Sequence, residues 1–169
     1  LYDSRCTTLM LELLVREAAK RAETLSIEEL IAFVDDLRSR AHLLAGIDTL
    51  EYLAKGGRLN TATAAIGSLL RVKPIITIGD GGTIDVIGKK MGSKTAVREL
   101  CGMVNLNKID PEYGIRFLYS MRDANVRELI VRMGLDPETV LELQDIGPVI
   151  GPHIGPDAFG YVYVDRKEV

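Results

Sequence analysis

The chain of 169 residues holds only two cysteines, Cys6 and Cys101, which are far apart and outside any C-x-x-C pattern. That spacing offers neither a disulfide framework nor a thiolate metal site, and points to buried thiols in a reducing compartment. No run of about twenty apolar residues is present, so nothing in the sequence reads as a membrane-spanning helix. Long basic runs are absent too. Twenty-one Lys and Arg face 24 Asp and Glu for a net charge of −3, which excludes the concentrated basic footprint of a nucleic-acid binder. Two histidines and scattered carboxylates give no metal-ligand spacing, and Ser68 and Ser93 lack the flanking glycines of a nucleophile elbow. Leu1–Arg16 is broken by Asp3, Arg5 and Glu12 and does not read as a signal peptide. The chain begins at Leu1 and not Met, so a processed product or a fragment of a longer protein is expected.

The remaining composition, 47% apolar and 27% charged, fits a globular domain long enough to bury its own core. Helical spacing of apolar residues predicts a helix over roughly 7–23. Ser26-Ile27-Glu28-Glu29 is a capping-box start for a second, and Asp48-x-x-Glu51 is expected to cap a short one that Gly56-Gly57 stops. A further helix, rich in small residues, is expected from Thr61 to Leu70. Val72–Ile78 and Thr83–Ile87 read as a hairpin across Gly79-Asp80-Gly81-Gly82. Helices are expected over Ser93–Val104 and from a cap at Asp123 to Met133, with strands at Ile115–Ser120, Thr139–Leu143 and Tyr161–Val164. The fold class is therefore α/β (α+β), a mixed sheet with packed helices. Residues 1–42 read as a helical arm and 43–169 as the α/β domain.

Two segments carry the chemistry. In Asp48-Thr49-Leu50-Glu51-Tyr52-Leu53-Ala54-Lys55-Gly56-Gly57-Arg58-Leu59, Arg58 suits a carboxylate or phosphate in fork geometry. A helix-ending arginine bonded to orphan carbonyls is the other reading of the same residue. In Gly147-Pro148-Val149-Ile150-Gly151-Pro152-His153-Ile154-Gly155-Pro156, His153 sits in a stiff loop and suits hydrogen bonding to an anion, or to backbone. Neither segment pairs a nucleophile with a base, so grasping an anion is favoured over cutting a bond. His42, read as the end of a charged helix, is taken as solvated. Lys89, Lys90 and Lys94 form a small basic cluster, either a solvated face or a docking patch for an acidic partner.

These segments, with Ile66-Gly67-Ser68-Leu69-Leu70, Val72-Lys73-Pro74-Ile75 and Gly88-Lys89-Lys90, make the chain resemble the DegV family over nearly its whole length. The resemblance implies a DegV-like C-terminal domain of a cytoplasmic bacterial protein that is not an enzyme and needs no cofactor. It implies a bound long-chain fatty acid, its carboxylate near a domain junction beside Arg58 and His153. Ile66 and Leu69 are then expected to line the acyl chain, and a fatty acid kinase subunit is the implied partner, docking through Lys89, Lys90 and Lys94. No nucleic acid, integral membrane contact or metal is implied. The family's N-terminal domain, which supplies hydroxyl ligands, is not contained in these residues. Met91 stands where an arginine is common, and Asp157 replaces a glycine beside the proposed anion site. Two other readings stay open: an interaction module of the same fold without lipid, and a small-molecule enzyme using His153 as base with Asp48 or Asp157.

Overall fold

The computed structural model describes residues 1–59, 72–138, 140 and 142–167. The expected helix Thr61–Leu70, with Ile66, Ser68 and Leu69, lies outside them. Helix α1, Thr8–Arg21, buries Leu9, Met10, Leu13, Leu14 and Glu17 along one stripe at helical spacing. Helix α2, Ile27–Arg40, starts at the expected capping box: Glu29 N–H donates to Ser26 Oγ at 3.3 Å, and Ser26 N–H donates to Glu29 Oε2 at 2.9 Å.

The sheet has six strands in the order β3-β2-β1-β6-β4-β5. They are β1 (Ala41–Gly46), β2 (Val72–Ile78), β3 (Ile84–Met91), β4 (Ile115–Tyr119), β5 (Leu143–Asp145) and β6 (Phe159–Val164). Pairing is antiparallel except between β4 and β5, so the sheet is mixed as expected. The hairpin forms as the sequence indicates, with a register shift between Ile75 and Ile76. The other helices are α3 (Glu51–Lys55), α4 (Ser93–Gly102), α5 (Ala124–Arg132) and α6 (Gly151–Ile154).

Alternation along the strands sends side chains to two faces. On one, Ile75, Phe117, Phe159 and Tyr161 pack with Ala96, Val97 and Leu100 of α4 and Val126, Leu129 and Ile130 of α5. On the other, Leu43, Ala45, Ile76, Leu118 and Val162 share a cluster with Leu9, Leu13 and Leu14 of α1 and Val34 and Leu37 of α2. The two helices read as an arm are thus continuous with the core of the sheet.

Three local expectations are corrected. His42 lies on β1, not at a helix end; its Nε2 is 2.9 Å from Asp165 Oδ2 and its ring is 5.0 Å from that of Tyr163. Of the strand expected over Thr139–Leu143, residues 139 and 141 lie outside the described ones; the strand found is Leu143–Asp145, its place set by pairing with β4 and not by its own β-branched content. Asp123 occupies the expected cap position of α5, but its carboxylate takes the Arg127 side chain instead of a backbone N–H.

Candidate functional site

Helix α3 follows β1 directly, and its end explains both glycines. Gly57 adopts φ +68, Gly57 N–H donates to Ala54 O at 3.1 Å, and Arg58 N–H donates to Leu53 O at 2.9 Å. This is a Schellman cap, which needs a left-handed residue where Gly57 stands. Gly56 is required for a different reason. A Cβ there would lie 2.3 Å from His153 Nδ1. The segments also meet a second time: a Cβ on Gly155 would lie 2.4 Å from the Tyr52 ring, and Gly155 has φ +79. Segments about a hundred residues apart therefore interlock through α3 and α6, glycine against side chain on each side.

The start of α3 differs from expectation. Its cap position is Leu50, and the Thr49 hydroxyl accepts the Glu51 N–H at 3.2 Å. Asp48 instead pairs with Lys73 of β2, the neighbouring strand being close enough to take its carboxylate.

Arg58 and His153 both line a cavity of about 550 Å³ on the α1–α2 side of the sheet, within the size range of small-ligand sites. Its floor is Leu43, Ala45, Ile76, Ile78 and Leu118; Leu53, Ile150 and Ile154 form the wall at α3 and α6, and Arg5–Thr8, Thr83 and Ile84 complete it. Arg58 is exposed and folds back, donating from Nη1 to Gly56 O at 2.6 Å. The orphan-carbonyl reading of Arg58 is thus the bond observed, in a residue that also faces the cavity. His153 Nδ1 is enclosed and has no hydrogen-bond partner among the described residues. Asp48 is held by Lys73 and Asp157 by Arg122 at 2.7 Å, so each carboxylate considered as a partner for His153 is engaged elsewhere. Asp157 takes φ +63, which accounts for a glycine at such a position, and its charge is paired.

The three lysines are not alike. Lys90 reaches Glu99 of α4 at 2.9 Å, whereas Lys89, its neighbour on β3, points to the other side of the strand and is exposed, as is Lys94. Among the described residues, no group of three or more His, Cys, Asp or Glu is arranged to hold a metal. None of the described helices is long and apolar enough to cross a membrane.

A family profile described as "Uncharacterised protein, DegV family" matches residues 1–166. The chain belongs to the DegV family. It is 35% identical over 168 residues to a DegV domain-containing protein of Caldanaerobacter subterraneus subsp. tengcongensis, covering 97% of this chain and 59% of that protein. The crystal structure of a fatty acid binding DegV family protein from Streptococcus agalactiae superposes with a TM-score of 0.85 at 26% identity, over 99% of this chain and 60% of that one. A DegV family protein of Thermus thermophilus, described by its fatty acid binding, gives 0.79 at 28% identity over 98% and 60%. The chain spans about 60% of the length of these DegV relatives.

Sequence reasoning missed the wall formed by Arg5, Cys6, Thr7 and Thr8, and the floor residues Leu43, Ala45, Ile76 and Ile78. The signal for the floor was present, since apolar residues two apart on adjacent strands share a face. Residues 5–8 carry no such pattern.

Proposed function

We propose that this chain is the larger part of a fatty-acid-binding DegV protein, holding a long-chain fatty acid with its carboxylate beside Arg58 and His153. The observation that carries the reading is an apolar cavity whose α3–α6 end bears those two side chains. A carboxylate leaving water needs paired charge or several donors. Arg58 supplies a guanidinium by turning from Gly56 O toward the ligand, and His153 supplies a ring N–H. Each methylene buried against the Leu, Ile and Ala floor contributes about 0.8 kcal/mol. The glycine contacts between α3 and α6 hold the backbones that carry Arg58 and His153 in place before a ligand arrives. Fatty acid binding by the relatives from Streptococcus agalactiae and Thermus thermophilus supports the same ligand class. The portion of such proteins beyond this chain would complete the head-group site, and Ile66 and Leu69 are proposed to line the acyl chain.

The proposal extends to a cytoplasmic setting, in keeping with the free thiols of Cys6 and Cys101, and to presentation of the carboxylate to a separate fatty acid kinase. Lys89 and Lys94 remain the candidates for such docking, Lys90 being occupied by Glu99. Native mass spectrometry of the protein expressed in bacteria from its complete gene tests the ligand. An acyl chain is expected to co-purify and to be lost in Arg58→Ala. A lipid-free protein that also ignores added palmitate would overturn the reading.

A further inference from the structure

The cavity has two ends, and the register of the sheet fixes which residues stand at each. Gly46 pairs with Ile75 and Leu44 with Thr77. Moving back along β1 from Gly46, away from α3 and α6, therefore moves forward along β2 to Ile78 and the hairpin turn. Arg58 and His153 occupy the first end. At the second, the stretch Arg5–Thr8 crosses the hairpin: Arg5 Cβ is 3.0 Å from where a Gly82 Cβ would be, and Arg5 Nη1 donates to Asp80 O at 3.4 Å. Cys6 lines the cavity there, half-buried and packed against the apolar cluster that floors it.

This stretch is held differently from the rest of the wall. Arg5 and Thr8 have φ +52 and +48, a region that costs a non-glycine residue about 1 kcal/mol or more. Arg5 N–H donates to Asp3 Oδ1 at 3.0 Å and Cys6 N–H to Ser4 Oγ at 3.3 Å, both local bonds, while the bond from Arg5 to Asp80 of the hairpin is long at 3.4 Å. Burial raises the Cys6 thiol above its ordinary pKa, with Asp3 adding to that and Arg38 opposing it. Cys6 thus presents an uncharged, compact apolar surface.

We propose that Arg5–Thr8 is the end stop of the acyl cavity and that Cys6 determines the longest chain admitted. The proposal rests on the fatty-acid reading above and adds to it the residue that sets ligand length. Leu43, Ile76 and Leu118 flank the path but sit on paired strands, so they fix its width. The stop is contributed by an unpaired segment, and one side chain there decides where a terminal methyl meets the wall.

Native mass spectrometry of the protein from its complete gene, expressed in cells offering mixed acyl chains, provides the test. Cys6→Phe is expected to shift the bound profile to shorter chains and Cys6→Ala to longer ones. Both variants retaining the wild-type profile would overturn the assignment. A wild type carrying no acyl chain would overturn instead the reading on which it rests. A second measurement avoids substitution. Palmitate at about 100 Kd leaves about one per cent of the protein free, so alkylation of Cys6 is expected to slow about a hundredfold while Cys101, on α4 across the sheet, is unaffected. Equal Cys6 labelling with and without palmitate, in protein that binds it, would sink the stop.

Discussion

On one face of the sheet Phe117, Phe159, Tyr161 and Ile75 are sealed beneath α4 and α5; on the other, Leu43, Ala45, Ile76 and Leu118 are as well shielded from water yet look onto a cavity. Both faces are built from the same residue types on the same strands, and consecutive residues such as Phe117 and Leu118 serve opposite sides. The difference lies in what covers them. Two amphipathic helices, α4 and α5, close the first face. Over the second, among the described residues, α1 and α2 cover part of the sheet while α3, α6 and the Arg5–Thr8 stretch rim the cavity. A polypeptide interior closes apolar gaps wherever it can, because each unfilled volume forfeits dispersion contacts. Under the proposed function, the apolar space over these shielded strands is what a ligand completes.

The widest test of this contrast compares neighbours. Phe117→Ala is expected to cost about 3–5 kcal/mol. Leu118→Ala should fall near the low end of the 2–5 kcal/mol range for leucine truncation, its outer side already lacking partner atoms. Urea unfolding measures both, and equal losses would remove the distinction between the faces.

At the rim, Arg58→Ala should weaken fatty acid binding by about 1.5–3 kcal/mol, the worth of a charged hydrogen bond. Its effect on unfolding should stay within about 0.5 kcal/mol because the side chain is exposed. A titration showing unchanged affinity would separate Arg58 from the ligand.

The interlock gives a third comparison. Gly57→Ala meets no atom within 4 Å but must hold φ +68, a cost of about 1–2 kcal/mol. Gly56→Ala has ordinary helical dihedrals and instead drives a methyl against His153. Only Gly56→Ala should displace α6 and lower lipid affinity as well as stability, by about 1–3 kcal/mol.

The smallest effect concerns acid. Glu17 is buried on α1; burial alone would raise its pKa, but hydrogen bonds from Lys20 and Arg21 outweigh that and hold it low. A folded pKa below the unfolded value contributes stability that is present above about pH 4.3 and is lost as pH falls through the folded value. Glu17→Gln should flatten the pH dependence of unfolding in that window, leaving the opposite face unaffected.

Much of this was legible beforehand where the cause is local. The Ser26–Glu29 box, the Gly79–Gly82 hairpin turn and the glycine stop of α3 each depend on residues a few positions apart, and each formed. Asp48 was misread because a strand partner, Lys73, outcompeted the local cap. His42 and β5 were misplaced because strand identity here follows from neighbours supplied by β6 and β4. Residue patterns singled out Arg58 and His153 separately, and only the family resemblance implied that both stand beside one carboxylate.

What the sequence by itself determined was the family, the mixed α/β class and the two glycine-rich segments, all carried by residue identity and short-range spacing. Tertiary structure alone decided that Gly56 exists to admit His153, that Tyr52 rests on Gly155, and that Arg5–Thr8 lines the same apolar space as Arg58 and His153. Those facts depend on contacts between segments tens to a hundred residues apart, and contact at that separation is set by how the layers pack, not by the pattern within any one of them.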